Sequence, residues 1–134
     1  MISEISHITF IVEDLDKATT FFEKIFEAKE VYNSGENKFS ISKEKFFLIK
    51  NLWIAVMEGN QCERSYNHIA FKIDESDYEM YLKRIEKLGL EIKRGRDRVT
   101  EESRSIYFYD YDNHLFELHT GTLENRLLHY KKFN

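Results

Sequence analysis

The sequence contains no proline, only five glycines and a single cysteine, Cys62. Without proline, its turns have to rely on Gly, Asn, Asp and Ser. One cysteine cannot form an internal disulfide, which excludes a small disulfide-stapled scaffold. The amino terminus also lacks the basic start and the apolar run of an export signal, so we expect a cytoplasmic protein.

Long apolar runs and an excess of positive charge are also absent. No stretch approaches the roughly 18 apolar residues that a membrane span requires, so we expect no membrane insertion. The net charge is -4, and basic residues are concentrated only in the short stretch KRGRDRVTEESR (93–104). Because nucleic-acid binding requires a basic face, we expect no nucleic-acid partner.

What is present is enough chain for one globular core. The 134 residues are 42% hydrophobic and 33% charged, with both signs well mixed, which argues against disorder. The length is too short for two independent cores. We therefore predict a single domain spanning residues 1–134.

The hydrophobic pattern repeats one order of elements. Alternating apolar residues predict strands near 5–12, 29–33, 38–50, 52–57, 66–73, 90–94, 104–110 and 113–119. Apolar residues at helical spacing predict helices at 13–26, 75–89 and 122–132. The sequence therefore predicts an α+β fold of two βαβββ modules, about 4–60 and 65–120, followed by a C-terminal helix.

The first strands of the two modules resemble each other residue by residue. SHITFIV begins at Ser6 and NHIAFKI at Asn67, and the offset that aligns their histidines also aligns their apolar residues. Any two amphipathic strands share apolar positions. The paired histidines are what favour an internal duplication.

Strand alternation separates three metal-ligand candidates from the apolar faces. Successive residues of a strand face opposite sides, so His7 and His68 lie away from the helix side, as do Glu117 and His119. Two histidines and one carboxylate can hold a divalent metal and leave positions open for water or substrate. A lone histidine at a strand start is more often structural, whereas the paired placement makes metal ligation and a structural role equally good interpretations. His114 and His119 remain candidates for outer-shell partners.

These motifs carry a family resemblance that covers nearly the whole chain. The doubled pattern with SHITFIV, YNHIAFKI and FELHTG resembles the vicinal oxygen chelate superfamily, and within it the fosfomycin-resistance proteins. The stretch SKEKFFLI is most similar to the hydrolytic, manganese-dependent members. TEESRS lacks the glycine that glutathione-using relatives have in their potassium-associated segment. The resemblance implies paired modules that form a curled, mixed sheet cup.

The chemistry that the resemblance implies is water addition to the epoxide of fosfomycin, which gives a diol. His7, His68 and Glu117 would bind Mn²⁺, and Glu44 would act as the general base that activates the attacking water. From the residues alone, SKEK is also typical of a solvated hairpin turn, which leaves the role of Glu44 open.

The phosphonate of the drug would need cationic and hydroxyl donors. The predicted substrate-binding residues are Thr9, Trp53, Phe46, Tyr66, Arg94, Ser105, Tyr107 and Arg126. Arg94 represents the basic stretch 93–104, from which we expect one side chain to contact the phosphonate. Trp53, Phe46 and Tyr66 would form apolar walls, although simple core packing explains them equally well.

The resemblance further implies a homodimer in which His7 of one chain joins His68 and Glu117 of the other. Alternatives on the same fold remain open, because fold alone does not determine function. They are a thiol transferase that uses bacillithiol or glutathione, a non-catalytic drug-binding protein, and an iron-dependent ring-cleaving dioxygenase.

Overall fold

The computed structural model describes residues 1–93 and 103–132. The chain divides into two compact units, one made of Met1–Glu63 with Asp110–Asn113 and the other of Arg64–Tyr109 with His114–Asn134. Each unit carries one four-stranded mixed sheet. None of the helices in the described part of the chain has the length and apolar character needed to cross a membrane.

The first unit has the predicted βαβββ order. Its elements are β1 (His7–Val12), α1 (Leu15–Phe26), β2 (Lys29–Asn33), β3 (Glu44–Ile49) and β4 (Leu52–Glu58). The strands are arranged β1-β4-β3-β2, with β1 parallel to β4 and the other neighbours antiparallel. A parallel pair requires a long crossover connection, and the segment from α1 to β3 provides it.

Helix α1 covers one face of this sheet. It begins after Asp14, whose carboxylate accepts hydrogen bonds from two backbone N–H groups of the first turn. Its buried side includes Phe22, whose ring lies 5.5 Å from that of Phe47 on β3 and 6.0 Å from that of Phe10 on β1. The apolar core therefore lies between α1 and the sheet, and the opposite face of the sheet is left for polar chemistry.

The second unit repeats the order and adds a terminal helix. Its elements are β5 (His68–Lys72), a 3₁₀ turn (Glu75–Asp77), α2 (Tyr78–Lys87), β6 (Ile92–Lys93), β7 (Ser105–Tyr109), β8 (Leu115–His119) and α3 (Leu123–Lys132). The strands are arranged β5-β8-β7-β6, with β5 parallel to β8. This repetition confirms the predicted pair of βαβββ modules.

The strand predicted at 38–50 is wrong in its first part, because β3 begins only at Glu44. Strand β2 ends at Asn33, and Gly35, with φ +60°, turns the chain away. Ser34 closes the ladder, since its N–H donates to the Glu44 carbonyl at 3.0 Å and its hydroxyl accepts the Glu44 N–H at 2.9 Å. Residues 38–43 therefore have no partner strand on β2.

Candidate metal centre and substrate face

Strand register gathers the predicted donors of the second unit on one face of its sheet. Glu117 on β8 lies beside Ala70 of β5 and Tyr107 of β7, and Ser105 of β7 lies beside His119 of β8. Residues that pair across strands share a face, and so do residues two positions apart. His68, two positions before Ala70, therefore joins this face.

His68 and Glu117 are in direct contact. The His68 Nε2 atom lies 3.0 Å from the Glu117 Oε1 atom, and the His68 Nδ1 atom lies 2.7 Å from the backbone oxygen of Tyr66. A carbonyl only accepts hydrogen bonds, so the Nδ1 atom must carry a proton. The Nε2 atom faces the carboxylate, and either a proton on Nε2 or a metal ion held between the two atoms would satisfy this contact.

This donor set fits a divalent metal ion. An imidazole whose second nitrogen is fixed by a carbonyl is the usual arrangement of a metal-binding histidine. Two neighbouring ligands of a six-coordinate ion at about 2.1 Å lie about 3 Å from each other, which matches the observed separation. Within residues 1–93 and 103–132, no group of three or more such side chains is found. Among these residues, His68 and Glu117 therefore form a pair of candidate ligands.

The surroundings of Glu117 keep it ionised although it is only 5% exposed. Burial acts to raise the pKa of Glu117, but hydrogen bonds from Ser105 and Tyr107 and the neighbouring His119 and His68 rings outweigh it. Together they hold the pKa below its ordinary value of 4.5. An ionised carboxylate is the form that binds a metal.

His119 connects this carboxylate to the terminal helix. Its Nδ1 atom lies 2.8 Å from the Ser105 hydroxyl and 3.3 Å from the Glu117 Oε2 atom. Its Nε2 atom lies 3.4 Å from the Nη2 atom of Arg126, which α3 supplies. The structure therefore places His119 in contact with Glu117, where an outer-shell partner belongs, and brings Arg126 to the same cluster.

Tyr66 borders this face and does not belong to the core. Its side chain is 61% exposed, its ring lies 4.9 Å from that of His68, and its hydroxyl lies 3.4 Å from that of Tyr107. The core-packing interpretation of Tyr66 is therefore wrong. An exposed aromatic ring beside a polar centre is suited to contact a bound ligand.

The basic stretch contributes to this face through Lys93, one of its predicted candidates, although Arg94 was the preferred one. Lys93 pairs with Tyr107, and its Nζ atom lies 5.1 Å from the Tyr66 ring centre. Arg104 is engaged elsewhere, because its guanidinium lies 2.7 Å from the Glu75 carboxylate and stacks 3.7 Å from the Tyr78 ring. The predicted Arg94 lies outside the described residues.

The first unit presents a second polar face, built by the same register. Thr9 of β1 pairs with Ala55 of β4, which pairs with Phe46 of β3, and His7 lies on the same face beside Trp53. The His7 and Trp53 rings are stacked with centres 4.1 Å apart, and the Trp53 and Phe46 rings are 5.1 Å apart. Four predicted site residues of this half therefore form one continuous surface.

Trp53 also has an unused hydrogen-bond donor. Among the described residues, its buried Nε1 atom has no hydrogen-bond partner. Buried indole N–H groups usually find one. Trp53 therefore differs from a residue that only fills a core.

Glu44 lies on the same face of the first sheet, two positions before Phe46. Its side chain is 7% exposed, so the solvated-turn interpretation of SKEK is wrong. The flanking lysines bind other groups: Lys45 reaches Glu30 at 2.9 Å on the opposite face, and Lys43 reaches Glu36 at 3.0 Å. Neither lysine therefore neutralises Glu44.

Residues 4–118 match the family described as the Glyoxalase/Bleomycin resistance protein/Dioxygenase superfamily. The chain belongs to this superfamily, which confirms the fold predicted from the doubled motif. Among its relatives is the fosfomycin resistance protein FosX of Listeria innocua, which is 62% identical over 98% of this chain and 100% of that protein.

A crystal structure also resembles the chain closely. A glutamate-to-glutamine mutant of FosX from Listeria monocytogenes, complexed with Mn(II) and 1S,2S-dihydroxypropylphosphonic acid, matches with a TM-score of 0.88 and 58% identity. The match covers 97% of this chain and 99% of that one. The metallothiol transferase FosB of Shouchella clausii is 41% identical over 98% of this chain and 90% of that protein. The resemblance to fosfomycin-resistance proteins is thus confirmed, and the chain is more similar to these FosX proteins than to this FosB protein.

Proposed function

We propose that the protein is a Mn²⁺-dependent hydrolase that opens the epoxide of fosfomycin by adding water, which gives a diol and confers resistance to the drug. The observation that carries this proposal is the His68–Glu117 pair, with its oriented imidazole and ionised carboxylate. The similarity to FosX, one example of which is complexed with Mn(II) and a dihydroxypropylphosphonate, supports both the metal and the product.

The metal would be held by His68 and Glu117 of one chain and by His7 of a second copy. The described residues of a single chain provide a pair rather than three grouped ligands. His7 occupies in the first unit the strand position that His68 occupies in the second. A homodimer that exchanges these faces would complete two equivalent sites, as symmetric dimers do.

The reaction would use both polar faces. When bound, Mn²⁺ would act as a Lewis acid on the epoxide oxygen. Glu44 would take a proton from the attacking water, since its carboxylate lies on the same face as Thr9 and the two flanking lysines bind other glutamates. Trp53 and Phe46 would exclude bulk water around the oxirane.

The phosphonate would be bound by side chains of the second face. Arg126 would offer a guanidinium next to His119, and Ser105 and Tyr107, whose hydroxyl groups donate to Glu117, would border the phosphonate. Tyr66 would line the entrance, and Arg94 of the basic stretch would add a further cation. Lys93 also fits this role, since it is the basic residue of that stretch on the described face.

A second candidate function is transfer of a low-molecular-weight thiol to the same epoxide. The 41% identity to the metallothiol transferase FosB favours it. The proposed base Glu44, buried on β3, favours water as the nucleophile instead. A thiolate is already deprotonated and would not need an added base. We also propose a cytoplasmic location, which the free, exposed thiol of Cys62 supports.

The deciding experiment is to incubate the purified protein with Mn²⁺ and fosfomycin, with and without bacillithiol or glutathione, and to follow products by phosphorus NMR. We expect diol formation with water alone, and no product after chelation of the metal. A product that forms only with thiol would replace the hydrolase with the transferase. Drug binding without any product would indicate a sequestering protein, and a requirement for oxygen a dioxygenase.

A further inference from the structure

We infer that His119 is a positioning residue that joins the metal carboxylate Glu117 to the phosphonate arginine Arg126, so that binding of the metal and binding of the phosphonate depend on each other. The inference rests on the proposed function, which gives Glu117 and Arg126 these roles. It goes beyond that function because it assigns a role to a side chain that would touch neither ligand.

The hydrogen-bond directions along this cluster run one way. A guanidinium only donates, so Nε2 of His119 accepts from Arg126 and Nδ1 of the neutral ring carries the proton. Nδ1 then donates to the Ser105 hydroxyl at 2.8 Å, and that hydroxyl donates to Glu117 Oε2 at 2.7 Å. Arg126, His119 and Ser105 are thus successive donors, and the series ends at the Glu117 carboxylate, which accepts.

The backbone near His119 has an unusual conformation where Ser103 approaches the imidazole. Ser103 has a φ of 91°, a conformation that non-glycine residues rarely adopt, and its hydroxyl lies 3.3 Å from Nε2 of His119. A Cβ atom on Gly121 would lie 2.4 Å from that hydroxyl and 3.0 Å from Nε2. The approach of Ser103 to His119 therefore requires glycine at 121, and the strain at Ser103 falls where the imidazole is held.

The consequence is coupling between the two proposed ligand sites. A side chain that orients a metal ligand typically contributes about 10-fold or more to metal affinity. If the same imidazole also orients Arg126, a metal that fixes Glu117 and His119 prepares the guanidinium for an anion. Thermodynamic linkage then requires that the anion strengthen metal binding by the same factor.

Two variants test the contacts of the two ring nitrogens of His119 separately. The amide of asparagine reaches the place of Nδ1, whereas that of glutamine reaches the place of Nε2. The experiment measures, on the full-length protein, calorimetric binding of Mn²⁺ and of dihydroxypropylphosphonate, each with and without the other. The variants are His119→Asn, His119→Gln and His119→Leu, with His129→Leu on α3 as the control and circular dichroism as the check on folding.

We expect His119→Asn to keep Mn²⁺ affinity and to weaken phosphonate binding, and His119→Gln to do the reverse. His119→Leu should weaken Mn²⁺ binding about 10-fold and reduce the mutual dependence to the part that direct contact between metal and ligand provides, while His129→Leu behaves as the wild type. A folded His119→Leu protein that binds both ligands normally would overturn the inference, as would equal losses in the Asn and Gln variants. A wild-type protein that binds neither ligand would instead overturn the proposed function.

Discussion

The two units share a strand order and a register but carry different chemistry. In the second unit, Ala70 lies two positions after His68 and pairs with Glu117. In the first unit, Thr9 lies two positions after His7 and pairs with Ala55. Ala55 therefore occupies the place of Glu117. The first residue of the third strand differs as well, since Glu44 begins β3 and Ser105 begins β7. The duplicated scaffold thus holds the proposed metal-ligand carboxylate in one copy and the proposed base in the other.

The paired histidines show the same divergence. His68 is oriented by the Tyr66 carbonyl and faces Glu117. His7 stacks on Trp53, and its Nδ1 atom lies 2.9 Å from the Ser6 hydroxyl. Equivalent strand positions therefore do not imply equivalent surroundings. In the proposed site, the His68 half would supply two ligands with their supporting contacts, and the His7 half would supply one ligand beside an aromatic wall.

The largest expected effect comes from making the second unit resemble the first. Glu117→Ala installs the residue that the first unit has at the equivalent place, and we expect it to lower Mn²⁺ affinity by more than about 100-fold and to abolish diol formation. Calorimetric titration with Mn²⁺ measures the first effect and phosphorus NMR the second. Metal binding that survives this change would show that the ligands are misassigned.

A smaller effect is expected from Glu44→Gln, which removes the base and leaves the metal pair in place. Diol formation should fall by about 10² to 10⁴-fold, the usual contribution of a general base, while Mn²⁺ affinity stays unchanged. The control is Glu36→Gln, an exposed glutamate paired with Lys43 in the adjoining loop. If the Glu44 variant hydrolyses fosfomycin at the normal rate, another residue activates the water.

The smallest expected effect concerns pH. Because the pKa of Glu117 in the folded protein lies below its ordinary value, this carboxylate stabilises the fold at neutral pH, and that contribution is lost as pH falls through the folded pKa. Ser105→Ala removes one of the groups that lower the pKa, so the metal-free variant should lose less stability on acidification than the wild type. Thermal unfolding measured across acid and neutral pH tests this, and identical pH profiles would contradict it.

Much of the architecture could be predicted from the sequence because alternation is strong where one sheet face is buried. The βαβββ order and the faces of His7, His68 and Glu117 followed from it. The strand predicted at 38–50 was wrong over 38–43, because pairing depends on the partner strand and β2 ends at Asn33.

The contacts of the site were less accessible from sequence. Burial of Glu44 and the role of Lys93 depend on register between strands distant in sequence, which composition does not reveal. The contact between His119 and Arg126 depends on how the chain turns between the end of β8 and α3. The signal available beforehand was the repeated alternation in FELHTG, which puts His119 on the same face as Glu117.

The most direct test of the central claim is complementation between two inactive variants. His7→Ala and Glu117→Ala each destroy every site in their own homodimers, but a mixed dimer keeps one site made of intact His7 from one chain and intact His68 and Glu117 from the other. Co-expression of the two variants should therefore restore about a quarter of the wild-type diol formation and Mn²⁺ content. Mixed dimers without metal or activity would contradict a centre that is shared between subunits.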